Sequence, residues 1–314
     1  MQWSERVGRR LKLKDLHMLE AIARLGSMAR AAEDLAISQP AISKAMADLE
    51  HSLGVTVMDR GARGVELTEA GRVLLRRSRA VFDEIRQGLN EIENLSDPTR
   101  GEIRIGTGEA MTPFVSAIVD YASRQYPKLV YHVSVNDVNT LLRGLRDREL
   151  DLVIARWTPS SPEQDFVAEI LFKDRLVVMA GARHLLANRR RSLSLRDLAS
   201  EQWALPPRDS FFGKMVVQVF QAEGLEVPQT MLSSISVQMR LNLLEGGRFL
   251  TIHPISLLRH AGNRGRFKAL PVGLRDSAGP IACIRLRDRQ ATGAKKLFME
   301  MTRAVARAAV HTRG

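Results

Sequence analysis

Apolar positions between residues 13 and 53 recur with a helical period, in short stretches broken at Gly26-Ser27 and Ile37-Ser38-Gln39-Pro40. Ser27 is placed to cap the second stretch, whose inner face is Ala31, Ala32 and Leu35. Alanines there let another helix cross closely. Ser38 can cap the next helix, and Pro40 falls in its first turn, where a missing N–H costs nothing. That helix is expected to bury Ile42, Met46, Leu49 and Leu53, spaced 4, 3 and 4. Its other face shows Gln39, Ser43, Lys44 and Ala47, polar or small and free of acid. A longer helical period runs from 68 to 95, where Leu75, Ser78, Phe82, Ile85, Leu89 and Ile92 follow a heptad spacing. The small N-terminal segment is too short to cover so long a stripe. Either the same helix of a second chain or the chain's own C-terminal domain should pack on it.

After Ser96-Asp97-Pro98-Thr99-Arg100-Gly101, which has the composition of a linker, the period changes. Short β-branched runs at 102–107, 130–135, 151–156, 176–180, 203–205, 249–252 and 281–286 alternate with helical stretches. The helices are expected at 112–125, 138–148, 211–222, 237–244 and 292–309. Such alternation predicts an α/β architecture with a largely parallel sheet.

Composition narrows the class. A chain of 314 residues suggests about two domains, and 45% hydrophobic residues is too many for a disordered chain. No apolar run is long enough to span a membrane, and Glu20 and Arg24 interrupt the run after the basic N-terminus, so no secretory signal is expected. One cysteine, Cys283, allows no internal disulfide, and its apolar setting suggests a small buried hydrophobe. Together these features predict a soluble, cytoplasmic protein. The net charge of +12 favours a polyanionic partner. Its distribution is uneven: residues 1–79 hold 14 basic and 10 acidic residues, whereas 97–314 hold 32 and 21. No phosphate-binding loop, zinc-helix motif, cysteine pair or nucleophile elbow is present, and the seven histidines are scattered. No metal, cofactor or enzymatic reaction is predicted.

The helix pair carries the functional reading. Gln can pair bidentately with adenine, Lys can reach guanine or phosphate, and Ser can contact either. Readers near a helix N-terminus, with a supporting helix across it, form a helix-turn-helix that docks in the major groove. A generic amphipathic helix pair shows the same period, so residue identities must decide. The run Leu16…Leu19…Ala21…Gly26-Ser27…Ala31-Ala32…Leu35…Ser38-Gln39-Pro40-Ala41-Ile42-Ser43-Lys44…Leu49-Glu50…Leu53-Gly54-Val55…Arg60…Leu67-Thr68-Glu69-Ala70-Gly71 resembles the LysR-type transcriptional regulators, in register and without gaps. Met58 stands where that family commonly has an aromatic residue. Gly101–Gly106, Tyr126-Pro127, Leu150-Asp151-Leu152 and Gly246-Gly247 before Leu250–Pro254 resemble the family's effector domain more loosely.

The resemblance implies a winged helix-turn-helix over 11–68, a linker helix over 69–95, and a two-lobed, periplasmic-binding-protein-like (type 2) effector domain over 101–314. Its lobes would be 101–172 with 273–314, and 173–272. The implied DNA contacts are Ser38, Gln39, Pro40, Ser43 and Lys44, with Arg60 and Arg63 on a wing from Val57 to Leu67. The implied partners are double-stranded promoter DNA, a small-molecule effector, a second copy joined through the linker helix, and a homotetramer built from such dimers. RNA polymerase is a candidate further partner. The effector candidates are a carboxylate, a sugar or a sugar acid. Ligands of open α/β sheets sit beyond strand C-termini, beside helix N-termini. Thr107, Asn136, Arg156, Arg208 and His253 occupy such ends and are the candidate effector contacts. Glu109, beside Thr107, counts against a multiply charged anion.

Overall fold

The computed structural model describes residues 11–61, 64–94, 97, 99–157, 165–275, 277–291 and 293–311. The chain divides into two compact units, Met1–Ile92 and Glu93–Gly314.

The first unit holds α1 (Leu13–Leu25), α2 (Met28–Asp34), α3 (Gln39–Leu53), a hairpin of β1 (Met58–Gly61) and β2 (Gly64–Leu67), and α4 (Glu69–Asn94). Ser27 and Ser38 cap α2 and α3, accepting from the backbone N–H groups of Arg30 and Ala41. The predicted apolar faces meet in one core: Leu19, Ile22, Ala31, Ala32, Ile42, Met46 and Leu49 are buried together. Leu35 and Leu53 lie at its margin, and Met58 enters it from the hairpin. The hairpin is pinned by α3, because Glu50 Oε1 accepts from the N–H groups of Val57 at 2.8 Å and Met58 at 3.2 Å. Thr68 opens α4, accepting from Gly71 N–H at 3.0 Å and donating to the Thr56 carbonyl at 2.8 Å. A Cβ at position 71 would collide with the Val57 carbonyl, so only glycine allows this approach.

The heptad stripe of α4 divides into two halves. Its N-terminal half is partly covered by the winged domain: Ser78 is buried, Leu75 and Phe82 are half-buried, and Phe82 meets the His17 ring edge-on at 6.0 Å, while the flanking Leu74 packs on that core and Arg79 pairs with Glu20 at 3.3 Å. Its C-terminal half is bare, with Ile85, Leu89 and Ile92 exposed at 41%, 56% and 65%. The small domain therefore covers more of the stripe than its length suggested.

The second unit is a mixed sheet. β3 (Gly101–Thr107) pairs in parallel with β4 (Leu129–Val135) and β5 (Leu152–Arg156). β7 (Gln202–Leu205) pairs in parallel with β8 (Thr230–Ser233) and β9 (Phe249–Pro254). Between these groups run β6 (Phe166–Gly181) and β11 (Ala278–Leu286), antiparallel to each other and to their other neighbours, while β10 (Phe267–Ala269) pairs antiparallel with β6. The largely parallel sheet expected from the alternation is thus corrected. β11 runs against β3, β4 and β5, and β6 runs against β7, β8 and β9, so the two strands meet as the antiparallel seam of the sheet.

Helices cover both faces. Ile103, Ile105, Leu152, Ile154, Ile281 and Cys283 pack under α5 (Thr112–Gln125) and α9 (Gly293–His311). The alternate residues Val153, Ala155, Ala282 and Ile284 pack under α6 (Val138–Arg146). A strand buried on both faces needs an unbroken apolar run, which is what 152–155 and 281–284 provide. The second lobe repeats the plan, with α7 (Phe211–Ala222) over Leu176, Val178, Trp203 and Leu250, and α8 (Val237–Glu245) over Met179, Ala204 and Phe249. Strand β6 serves both lobes: Phe166–Arg175 pair with β11, and Leu176–Ala180 pair with β9. The sequence pattern showed only its second half as a strand. The first half alternates with charged Glu169, Lys173 and Asp174, which masked it. Among the described residues no helix is long and apolar enough to cross a membrane.

One buried carboxylate ties the first lobe together. Asp151 lies 2.7 Å from Arg289, 3.1 Å from Arg104 and 3.4 Å from Lys295. Burial alone would raise its pKa, but the three cations bring it down to about 2. The folded value lies below the unfolded one. Asp151 therefore stabilises the fold above about pH 4, and that contribution, about 2 kcal/mol, fades as the pH falls toward 2. Asp151→Asn is expected to lower stability in urea at neutral pH by about 3 kcal/mol, because the cations lose their counter-charge. It should also flatten the acid limb of the stability profile. A variant as stable as the parent at neutral pH would contradict this account.

Candidate DNA interface and ligand cleft

On α3 the hydrophobic side faces the core, leaving Ser38, Gln39, Pro40 and Lys44 exposed and Ser43 half-buried around the first two turns. The Ser38 hydroxyl caps this helix start by accepting from the Ala41 N–H, and the candidate readers lie on the turns it begins. Arg60 lies on β1 opposite Val65. Its side chain, and Arg63 entirely, lie outside the described residues.

The second unit contains a cavity of about 290 Å³ between its lobes. Asn136, Arg156 and His253, three of the five candidate effector contacts, line it. The other two are not among its lining residues. Thr107 is wholly buried and donates to the Ile154 carbonyl at 2.9 Å, holding β3 to β5. Arg208 is exposed and donates to the Val227 carbonyl at 3.0 Å, away from the lining. Both occupy strand ends as expected, but one side chain turns into the sheet and the other along the surface.

Arg156 ends β5, and its Nη1 donates to the Asp174 carbonyl on β6 at 3.0 Å. A Cβ on Gly279 of β11 would press against this guanidinium, so glycine there leaves it room. Burial lowers the Arg156 pKa, an effect opposed by the charge of Asp174. His253 is fully buried on β9, stacked on Phe212 at 5.9 Å. Burial, reinforced by Arg240, pushes its pKa well below the usual histidine range, so the ring is neutral.

Arg240 and Glu109 complete the site. Arg240 projects from α8, almost fully buried, with Nη2 3.3 Å from His253 Nε2 and Nη1 donating to the Ser234 carbonyl. Burial lowers its pKa to about 10, against the pull of Glu109. Arg240 was legible in principle, since it shares one helix face with Val237, Leu241 and Leu244. A cation within an apolar stripe is the signal. Glu109, from the first lobe, accepts from the N–H groups of Val237 at 2.7 Å and Gln238 at 2.9 Å, and from the Ser236 hydroxyl. Nothing in the sequence pairs residue 109 with residue 237.

A capped helix pair followed by a hairpin, a long helix and a two-lobed α/β unit with a lined cleft is the architecture of winged helix-turn-helix regulators that carry a ligand domain. Residues 13–72 match the bacterial regulatory helix-turn-helix protein of the lysR family, and residues 96–307 match the LysR substrate binding domain. The chain belongs to the LysR family of DNA-binding transcriptional regulators, and it carries the family's effector-binding domain. These are transcription regulators and not enzymes.

The chain is 28% identical to the HTH-type transcriptional regulator GbpR of Azospirillum brasilense, over 94% of this chain and 86% of that one. It is 30% identical to the RuBisCO operon transcriptional regulator of Allochromatium vinosum, over 68% and 70% of the two chains. Among solved structures, a variant of full-length OxyR from Pseudomonas aeruginosa shares the fold with a TM-score of 0.68 at 20% identity, over 95% of both chains. CbnR in complex with its target DNA shares it with a TM-score of 0.52 at 23% identity, over 94% of this chain and all of that one.

Cys283 sits in the centre of β11 within the first-lobe core, and burial, with Glu169 adding to it, pushes its thiol up to about 12. A thiol so placed is protonated and inert at neutral pH. Iodoacetamide is expected to leave Cys283 unmodified in the folded protein and to label it fully in denaturant. Rapid labelling of the native chain would show that the sheet opens there.

Proposed function

We propose that this regulator reads promoter DNA through the start of α3, and that a small effector in the inter-lobe cleft changes the lobe angle and so its activity. Ser38, Gln39, Pro40, Ser43 and Lys44 contact base edges and backbone in the major groove, and Arg60 and Arg63 reach the minor groove from the wing. The carrying observation is that Ser38, Gln39, Pro40 and Lys44 are all exposed on one helix start whose opposite face is buried in the domain core. Asn136, Arg156 and His253, joined by Arg240, hold the effector, which is a carboxylate, a sugar or a sugar acid. To act, it must bind one lobe arrangement better than another.

Two copies pair through the bare half of α4, where Ile85, Leu89 and Ile92 are exposed, and such pairs assemble into a tetramer. Pairing sets two reading helices on a dyad-symmetric site. The protein acts in the cytoplasm on double-stranded promoter DNA, with RNA polymerase as a further partner.

Gln39→Ala and Lys44→Ala are each expected to weaken binding to the cognate promoter by about 1–3 kcal/mol, with circular dichroism and thermal midpoint unchanged. Selective gel-shift binding retained in both variants would rule out this reading surface. Leu89→Glu should convert the assembly to smaller species in sedimentation while each winged domain stays folded. An unchanged sedimentation profile would remove α4 from the interface.

A further inference from the structure

Four charged side chains line the cleft: Glu109, Asp137, Arg156 and Arg240. The two acids are already occupied by helix N-termini. Glu109 accepts from Val237 and Gln238 of α8, and Asp137 accepts from the N–H of Thr140 at 3.1 Å and its hydroxyl at 2.5 Å. The two cations are not fully occupied. Arg156 Nη2 and Arg240 Nε are buried and have no hydrogen-bond partner.

His253 supplies a third donor. A guanidinium can only donate, so His253 Nε2, 3.3 Å from Arg240 Nη2, must accept. The proton of the neutral ring is thereby assigned to Nδ1, which is also buried and unpartnered. The unpartnered buried polar atoms among these lining residues are therefore all donors, and buried donors need acceptors. The remaining walls include Met111, Val135, Phe212 and Ile235. A volume of about 290 Å³ falls at the small end of ligand cavities, which run from roughly 300 to 1,000 Å³.

Resting on the reading of this cleft as the effector site, we propose that its ligand is a small monocarboxylate with an apolar body, and that Glu109 enforces the single charge. The ligand carboxylate meets the donors of Arg156, Arg240 and His253, and its body lies against the apolar walls. Glu109 reaches from the first lobe to the start of α8 on the second, and acts there as a built-in anion. A second ligand carboxylate would have to displace it or sit beside it, and either costs affinity. The same contact fastens the two lobes, so Glu109 sets ligand class and lobe closure together.

The test uses the full chain in thermal-shift and calorimetric titrations. The probes are hexanoate, cyclohexanecarboxylate and benzoate, their primary amides, and succinate and phthalate. At least one monocarboxylate is expected to raise the melting temperature, its amide to bind at least tenfold more weakly, and both dicarboxylates to give no shift. In Glu109→Ser the dicarboxylates should gain at least tenfold in affinity. Glu109→Gln, which keeps the size and some hydrogen bonds, serves if the serine variant does not fold, and a smaller gain is expected there.

Dicarboxylates that bind the parent chain as well as monocarboxylates, an unchanged preference in both variants, or no monocarboxylate binding at all would overturn the proposal. Val135→Trp, at an exposed lining position, separates this failure from failure of the cleft reading. Amide binding in the parent that Val135→Trp abolishes would keep the cleft and reject the anion. Carboxylate binding undiminished by Val135→Trp would reject the cleft itself and the proposal with it.

Discussion

Strand β6 belongs to two hydrophobic cores at once, and the arrangement of the ligand unit depends on that. Phe166 packs in the first lobe and Leu176, Val178 and Ala180 in the second, so sixteen residues of continuous backbone join the lobes. The lobes cannot separate without bending a strand paired to β11 on one side of the crossing and to β9 beyond it. Arg156 donates to the carbonyl of Asp174 near that crossing, and the Asp174 carboxylate accepts from the Ser256 hydroxyl at 2.5 Å. Cleft and crossing therefore share atoms.

Charge in this protein is organised locally. The surplus of +12 suggests a polyanionic partner, yet the exposed residues at the start of α3 owe their place to helix phase and capping. Much of the basic surplus in the second unit has structural work. Arg289 is buried on Asp151, Arg303 holds Glu169 at 2.6 Å, and Arg287 donates to the Phe166 carbonyl. Within the series Arg285, Arg287 and Arg289, the last is buried, the first half-buried and the second exposed. In the cleft, equal numbers of acids and cations hide an asymmetry, since the acids are bonded to helix N-termini while the guanidiniums keep unpartnered donors.

How far the sequence reaches differs between the two sites. The exposed start of α3 was legible because it depends on neighbours in sequence: Ser38 caps its own helix, Pro40 fits its own first turn, and Ile42, Met46 and Leu49 share its inner face. The cleft was legible only in outline. Strand ends pointed to Asn136, Arg156 and His253, but the same rule also selected Thr107 and Arg208, whose side chains turn into the sheet and onto the surface. Which way a side chain leaves a strand end depends on which strand lies beside it, and local pattern does not carry that.

By itself the sequence determined the helix pair, the long helix, the α/β alternation and the buried setting of Cys283 in the run 281–284. Each follows from periodicity, capping or composition within a few residues. The tertiary structure alone decided that β6 and β11 run against their neighbours, that the first half of the α4 stripe is partly covered by its own domain, and that Glu109 meets the start of α8. The reason is separation along the chain. Residues 109 and 237 become neighbours only when two lobes close over a shared strand, and no local preference of either residue encodes that contact.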